Sequence, residues 1–315
     1  MNDEKIWVVG TGAMAREYAK VLKALSADFT AIGRSQTNAE RFSEETGCHT
    51  LSGGIEKVLS GNTDIPDRAI VAVSVDQLAP VTSALIQAGV QKILVEKPGC
   101  CLPSELESLQ SLAEKAECRV YIAYNRRFYA SVLEAEKIIE DDGGLKSMHF
   151  EFTEWSRSVT AIERPREVFE NWFYANSTHV VDLAFFMGGL PEKIASFTSG
   201  RLDWHTPAIF TGAGKTEKDV LFSYCANWNA PGRWGVELLT PLHRLYLKPM
   251  EQLQIQNLNS VKIDPVEIDD TLDRNFKPGL YRQTEAFLSD NISRLCPLGE
   301  QLGHVKTIYD KIVNG

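Results

Sequence analysis

Four places in the sequence combine residue types and spacings that could do chemistry. Gly10-Thr-Gly12-Ala13-Met14-Ala15 follows the apolar run Ile6–Val9 and opens a helical pattern. In this spacing the first glycine permits a tight turn, the second lets backbone approach a ligand, and a small third residue keeps the helix close to the strand. The unpaired N–H groups of the helix start then face an anion, so the motif between strand and helix reads as a pyrophosphate cradle rather than a ligand-free turn. About twenty residues on, where NAD sites place a carboxylate on the ribose 2′-hydroxyl, the next strand run ends Ala31-Ile-Gly33-Arg34-Ser35. A guanidinium beside a hydroxyl suits a 2′-phosphate. NADP is the favoured cofactor, NAD the alternative, and a solvated loop arginine the plainer reading of Arg34.

Val95-Glu96-Lys97-Pro98-Gly99 ends a later strand run, and strand ends are where open parallel sheets take ligands. A lysine there can hydrogen-bond a hydroxyl and favour its oxyanion, or act as a base when desolvation lowers its pKa; composition alone favours a surface lysine. His179 begins the apolar stretch Val180–Phe186. An imidazole with a pKa of about 6.5 suits proton transfer near neutral pH, against the competing reading of a buried core histidine. Asp182, one helical turn on, either orients His179 or ties the helix down. Cys100-Cys101 has no marked partner base and reads as small-residue packing. Trp155, Arg157, Arg164, Arg166 and Trp172 fall in a loop that either lines a cleft, with an arginine for a phosphate or carboxylate, or is simply solvated.

These residues need elements to hold them. From Ile6 to Asn125, strand-like runs (Ile6–Val9, Phe29–Gly33, Ala69–Val75, Lys92–Glu96, Arg119–Asn125) alternate with helical stretches (Met14–Leu25, Asn38–Thr46, Leu78–Ala88, Ser104–Glu117). This is the βαβ pattern of a doubly wound parallel sheet. After Asn125 come a helix over Val132–Asp141, a strand over Ser147–Trp155, a helix over Thr178–Met187, and seven β-like runs from Ile194 to Ile268 with little helix between them. Consecutive strands without crossover helices predict an antiparallel sheet. Helices over Tyr281–Leu295 and Leu298–Ile312 close the chain. The expected fold is therefore α/β: a Rossmann-type parallel sheet domain over 1–124, and over 125–315 an α+β domain with a large, mostly antiparallel open sheet.

Composition narrows the function. The 315 residues, 43% hydrophobic and 24% charged, are ordinary for about two globular domains. A formal net charge of -9 argues against holding nucleic acid by phosphate neutralisation. The N-terminus lacks a signal-peptide core, and no apolar run approaches membrane-spanning length, so a cytoplasmic protein without membrane contact is expected. Six scattered cysteines, with no C-x-x-C, argue against a disulfide framework, and no metal site is expected.

The glycine motif, Glu96-Lys97-Pro98, Asn125-Arg126-Arg127-Phe128, His179-x-x-Asp182 and the closing Tyr281–Leu288 stretch occur in the order of the Gfo/Idh/MocA oxidoreductases, which the chain resembles over nearly its whole length. The resemblance implies an NAD(P)-dependent hydride transfer with a secondary alcohol or ketone of a sugar, cyclitol or sugar nucleotide. It implies that Lys97 contacts the reacting oxygen and that His179 moves the accompanying proton. It puts Gly10, Gly12, Ala13, Met14, Arg34, Ser35, Ser74, Glu96 and Lys97 on the cofactor, and Asn125, Arg127, Trp172, Asn176 and Asp182 on the substrate. A cis Lys97–Pro98 peptide is expected, as is a homo-oligomer, dimer or tetramer, formed through the open sheet. One departure stands out: the family pattern D-x-G-x-H has Asp four residues before the histidine, whereas here the stretch reads Ala175-Asn-Ser-Thr-His179, with no carboxylate over Phe173–Thr178. The alternatives are a catalytically impaired dinucleotide-binding regulator or scaffold of the same fold, and a biliverdin- or dipicolinate-type reductase.

Overall fold

Short apolar runs, buried at nearly every position, build the first sheet, because a strand covered on both faces has no polar side to alternate. The computed structural model describes residues 5–61 and 63–315; Met1–Glu4, part of the N-terminal segment weighed above, lies outside them. The chain divides into two units, one running to Tyr124 and taking in Asn275–Leu302, the other comprising Asn125–Arg274 and Gly303–Gly315.

In the first unit, β1 (Ile6–Val9), β2 (Phe29–Gly33), β3 (Thr50–Ser52), β4 (Arg68–Val71), β5 (Lys92–Glu96) and β6 (Arg119–Ala123) are parallel and lie in the order 3-2-1-4-5-6. Between them run α1 (Ala13–Ala24), α2 (Gln36–Thr46), α3 (Gly54–Ser60), α4 (Val75–Gln87) and α5 (Pro103–Lys115). The order reverses between β1 and β4, which opens a ligand crevice at the carboxyl ends of those strands. Helix α1 shows why the pattern works: Ala15, Tyr18, Ala19 and Leu22 recur at helical spacing and are all buried. β3 and α3 escaped the sequence reading because a three-residue, half-buried strand carries almost no period.

Residues 275–302 depart from a division at 124 into two continuous stretches. The helix Leu280–Leu288 buries Leu280, Ala286 and Phe287, and Cys296–Pro297 pairs antiparallel with β6. That helix stops at Leu288 instead of running to Leu295: Asp290 turns the chain with φ +59°, and cations from the sheet cap the last carbonyls. Arg68 donates to the Phe287 oxygen at 3.2 Å and to that of Leu288, and Lys92 also donates to Phe287, as positive groups at a helix C-terminus do. Asp290 completes the cluster, 2.6 Å from Lys92 Nζ and 3.1 Å from Arg68 Nη2. Lys92 is 1% exposed. Burial pushes its pKa down, while the Asp290 carboxylate opposes the shift.

The second unit opens with α6 (Ala130–Asp141) and β7 (Ser147–Glu151), passes through the short α7 (Ser156–Thr160) and α8 (Arg166–Glu170), and reaches α9 (Thr178–Gly188). Then follow β8 (Pro191–Ser199), β9 (Ile209–Thr216), β10 (Leu221–Asn227), β11 (Gly235–Leu239), β12 (His243–Leu247), β13 (Gln254–Asn257) and β14 (Ile263–Pro265). The sheet order is 14-13-12-11-7-10-9-8. It is antiparallel except where β10 runs parallel to β7, since the helical segment between β7 and β8 acts as a crossover. Strand β7 ends at Glu151, four residues before the expected Trp155.

Alternation decides the faces of this sheet. Phe150, Phe222 and Tyr224 point to the buried side, where Phe185 of α9 meets Phe150 and Phe222 edge-on at 5.7 and 5.1 Å. On the other side the register aligns Phe197, Thr211, Cys225 and Glu151 in one row and Ala195, Ala213, Ser223, His149, Glu237 and Tyr246 in the next. Phe197 and Leu221 on that face are 68% and 60% exposed. The C-terminal segment also departs from a single helix: π-helical geometry at Val305–Tyr309 interrupts it before Asp310–Asn314.

Candidate functional site

In the first unit the glycine turn forms the floor of a cavity of about 550 Å³, lined among others by Gly10, Gly12, Ala13, Met14, Arg34, Ser35 and Ser74. Gly10 has φ +131°, and a Cβ there would stand 2.2 Å from the Ala72 carbonyl oxygen, so only glycine fits. A Cβ at Gly12 would meet nothing within 4 Å. The space in front of Gly12 is therefore open to a ligand and not taken up by packing. Helix α1 starts there with no side-chain cap and no acid in its first turn, which leaves its N–H groups for an anion. The cradle fits a dinucleotide.

Arg34 and Ser35 reach the same cavity from the end of β2. Ser35 also caps α2, its Oγ accepting from the Asn38 N–H at 3.3 Å, so its hydroxyl hydrogen is still available to a ligand. One acid, Glu56 in the first turn of α3, lines the cavity too. Glu96 lies at the end of β5, where Tyr18 donates its phenol hydrogen to Oε1 at 2.8 Å. Burial pushes both the Glu96 carboxyl and the Tyr18 phenol up. Lys97 follows, half-buried, and the Lys97–Pro98 peptide is cis. The Pro98 carbonyl accepts from Gln301 Nε2 at 3.2 Å. Cys100 and Cys101 are buried, and burial pushes the Cys100 thiol up, the opposite of what a nucleophile needs.

The second unit gathers a separate cluster around His179. The imidazole is 7% exposed at the start of α9, its ring centroid 6.1 Å from that of Trp234. Phe173–Ser177, just before it, is π-helical, a local widening that recurs at functional sites. Asp182 does not turn to His179: Arg127 grips it in a bidentate ion pair, Nε to Oδ2 at 2.9 Å and Nη2 to Oδ1 at 2.5 Å, with both side chains almost wholly buried. Burial pushes the Asp182 carboxyl up and Arg127 opposes it. Among the other residues expected on the substrate, Asn125 is buried and hydrogen-bonds the Tyr129 hydroxyl. Trp172 is buried under the Arg164 guanidinium at 4.9 Å, its Nε1 without a partner.

Asn176 leads to a residue the sequence reading passed over. Its Nδ2 donates to Glu154 at 3.1 and 3.2 Å, and Ser177 Oγ donates to Glu154 Oε1 at 2.7 Å. Glu154 is 2% exposed. A buried carboxylate thus stands against the very stretch, Ala175–His179, that lacks one in sequence. The only signal was a charge inside an apparent strand, and the strand ends before it. Trp234 and Arg233 also belong to this cluster and carried no spacing signal, and Arg126 joins them from the Asn125–Phe128 segment, where no role was assigned to it.

The two cradle glycines fail differently when changed. Gly12→Val should fold with an unchanged melting temperature, since its side chain enters open space, yet weaken NADPH or NADH binding by more than tenfold in a fluorescence titration. Normal cofactor affinity in this variant would refute the cradle.

Residues 5–124 match the model of an oxidoreductase family with an NAD-binding Rossmann fold, Gfo/Idh/MocA. Comparison with curated protein sequences finds no match. Among solved structures the chain is similar to an NAD-binding oxidoreductase from Klebsiella pneumoniae, at 14% identity and TM-score 0.77, covering 99% of this chain and 97% of that one. It is also similar to UDP-N-acetylglucosamine 3-dehydrogenase from Acidithiobacillus ferrooxidans, at 15% identity and TM-score 0.72, covering 99% and 98%. A third is the WlbA dehydrogenase from Chromobacterium violaceum, in complex with NADH and UDP-GlcNAcA, at 15% identity and TM-score 0.72, covering 99% and 94%. In strand order, glycine cradle and sequence, residues 5–124 match the NAD-binding Rossmann domain of the Gfo/Idh/MocA oxidoreductase family.

Proposed function

We propose that this protein is an NADP-dependent dehydrogenase or reductase acting on a secondary alcohol or ketone of a carbohydrate-like molecule, a sugar, cyclitol or sugar nucleotide. The cofactor preference is carried by one observation: Arg34 and Ser35 line the same cavity as Gly10 and Gly12, and the end of β2 offers no carboxylate to a ribose 2′-hydroxyl. The carbohydrate class is supported by the sugar-nucleotide dehydrogenases of similar fold. No helix among the described residues is long and apolar enough to cross a membrane, and a cytoplasmic location goes with the reading.

A bound nicotinamide cofactor supplies or accepts the hydride. In this reading Lys97 hydrogen-bonds the substrate oxygen and favours its anionic form, while His179 gives or takes the hydroxyl proton. Glu154, held by Asn176 and Ser177, contributes the carboxylate that the family pattern places at position 175. That supports the enzyme over the impaired regulator, because the site gains an acid from another segment in place of the lost one. Gly10, Gly12, Ala13 and Met14 hold the pyrophosphate, with Ser74 and Glu96 on the remaining cofactor edges. The open face of the large sheet, with Phe197 and Leu221 uncovered, is where a second copy packs, since apolar side chains of that size gain by leaving water.

Three outcomes test this reading. NADPH should bind the parent more tightly than NADH by on the order of tenfold to a hundredfold, the worth of a charge-assisted contact of about 1.5–3 kcal/mol. Arg34→Asp should erase or reverse the preference, and equal affinities in the parent refute it. On a substrate found in a sugar and sugar-nucleotide panel, His179→Ala should lower kcat by about a hundredfold to ten-thousandfold at constant cofactor affinity; unchanged turnover removes His179 from the mechanism. Sedimentation equilibrium at micromolar concentration should find a dimer or tetramer, and a monomer overturns the assignment of the open face.

A further inference from the structure

Arg126 and Arg127 are consecutive in the 3-10 turn Asn125–Phe128, yet they have opposite fates. Arg127 is spent on Asp182. Among the described residues Arg126 forms no ion pair and its side chain donates no hydrogen bond, while its Nε is buried without a partner. Its guanidinium lies 4.7 Å from the Trp234 ring centroid and 5.8 Å from that of Tyr129. The acids whose charges favour its protonated form, Glu251 and Glu154, form no ion pair with it, and Glu154 already accepts from Asn176 and Ser177.

A second cation converges on the same indole. Arg233 lies 4.5 Å from the Trp234 centroid and 4.6 Å from that of Trp155, and it too forms no ion pair among the described residues. Two guanidinium groups are therefore no more than about 9 Å apart, and each lowers the cost of bringing in a negative charge. Burial pushes the Arg126 pKa down, with Arg233 adding to the effect. A desolvated guanidinium without a counter-charge is costly in a folded protein, and cation–π contact returns only about 0.5–2 kcal/mol of that. Trp234 Nε1 is a further buried donor without a partner. Planar forks with unused N–H groups are suited to the paired oxygens of a carboxylate or phosphate. The same ring borders His179 at 6.1 Å.

We infer that Arg126 and Arg233, with Trp234 between them, form an oxyanion subsite, so that the molecule handled beside His179 carries a carboxylate or a phosphate. The subsite stands on the second unit alone; calling that molecule the substrate rests on the dehydrogenase reading. A neutral sugar would leave both cations uncompensated, so the inference selects acidic or phosphorylated carbohydrates from the wider class.

The test is calorimetric titration of the whole protein, with NADPH present at saturation so that the cradle of the first unit is filled. The probes are sodium malonate and inorganic phosphate, with sodium chloride at equal ionic strength as the control. One or both oxyanions should bind saturably and chloride should not; the stronger one tells carboxylate from phosphate. Arg126→Gln and Arg233→Gln should each weaken that binding at least tenfold while keeping the parent's NADPH affinity and near-ultraviolet circular dichroism. If Arg126→Gln fails to fold, Arg233→Gln carries the test. Absence of saturable binding in the parent, or unchanged binding in the variants, overturns the subsite. Failure of NADPH to bind strikes the dehydrogenase reading instead, and the oxyanion titration without cofactor, compared between the parent and the variants, still reads the subsite.

Discussion

The second unit is organised by the buried pair between Arg127 and Asp182. Removing one partner of such a pair costs about 3–5 kcal/mol, because the survivor keeps its charge out of water. The pair therefore fixes the rotation of α9 relative to the turn that carries Arg127. Once that rotation is set, His179, three residues earlier, faces Trp234, and the π-helical residues just before it face Glu154. With Arg127 held by Asp182, its neighbour Arg126 goes to the indole instead. One ion pair thus allots the surrounding groups their positions.

The first unit solves a similar charge problem at a helix end. Arg68 and Lys92 begin neighbouring parallel strands, an expensive place for cations, and both find the exposed carbonyls of the helix Leu280–Leu288 and the Asp290 carboxylate. The cradle needs no such compensation, because its polarity is backbone and its glycines supply shape. The two units thus offer different chemistry: uncharged N–H groups with one arginine and one glutamate in the first, and a crowd of aromatic rings and cations around a buried glutamate in the second.

What was legible in the sequence was what lies close together along it. The glycine motif could be read because the strand, turn and helix that give it meaning are adjacent, and Arg34 followed at a set distance. The strand runs and α9 carried their own periods. The rest depended on partners far apart in the chain: Arg127 and Asp182 are 55 residues apart, and Ser177 and Glu154 are 23 apart. Helical spacing leaves Asp182 two roles, orienting His179 or tying the helix down, and only the guanidinium that reaches it from another turn shows that its carboxylate is taken by Arg127. Glu154 was hidden inside an alternating pattern that continues in sequence after the strand has stopped. The parallel pairing of β7 with β10 left no mark in either strand, since direction is set by the crossover between them.

The returning segment has a consequence for synthesis. Lys92 is buried at the start of β5, and the carboxylate that neutralises it is 198 residues downstream. A ribosome making this chain exposes the dinucleotide cradle early, but it must deliver nearly the whole polypeptide before that buried ammonium meets its counter-ion and β6 gains its antiparallel edge partner. The domain that comes first in the sequence is thus among the last to be completed, and a nascent chain halted before Asn275 holds the cradle's sequence without the segment that closes its sheet.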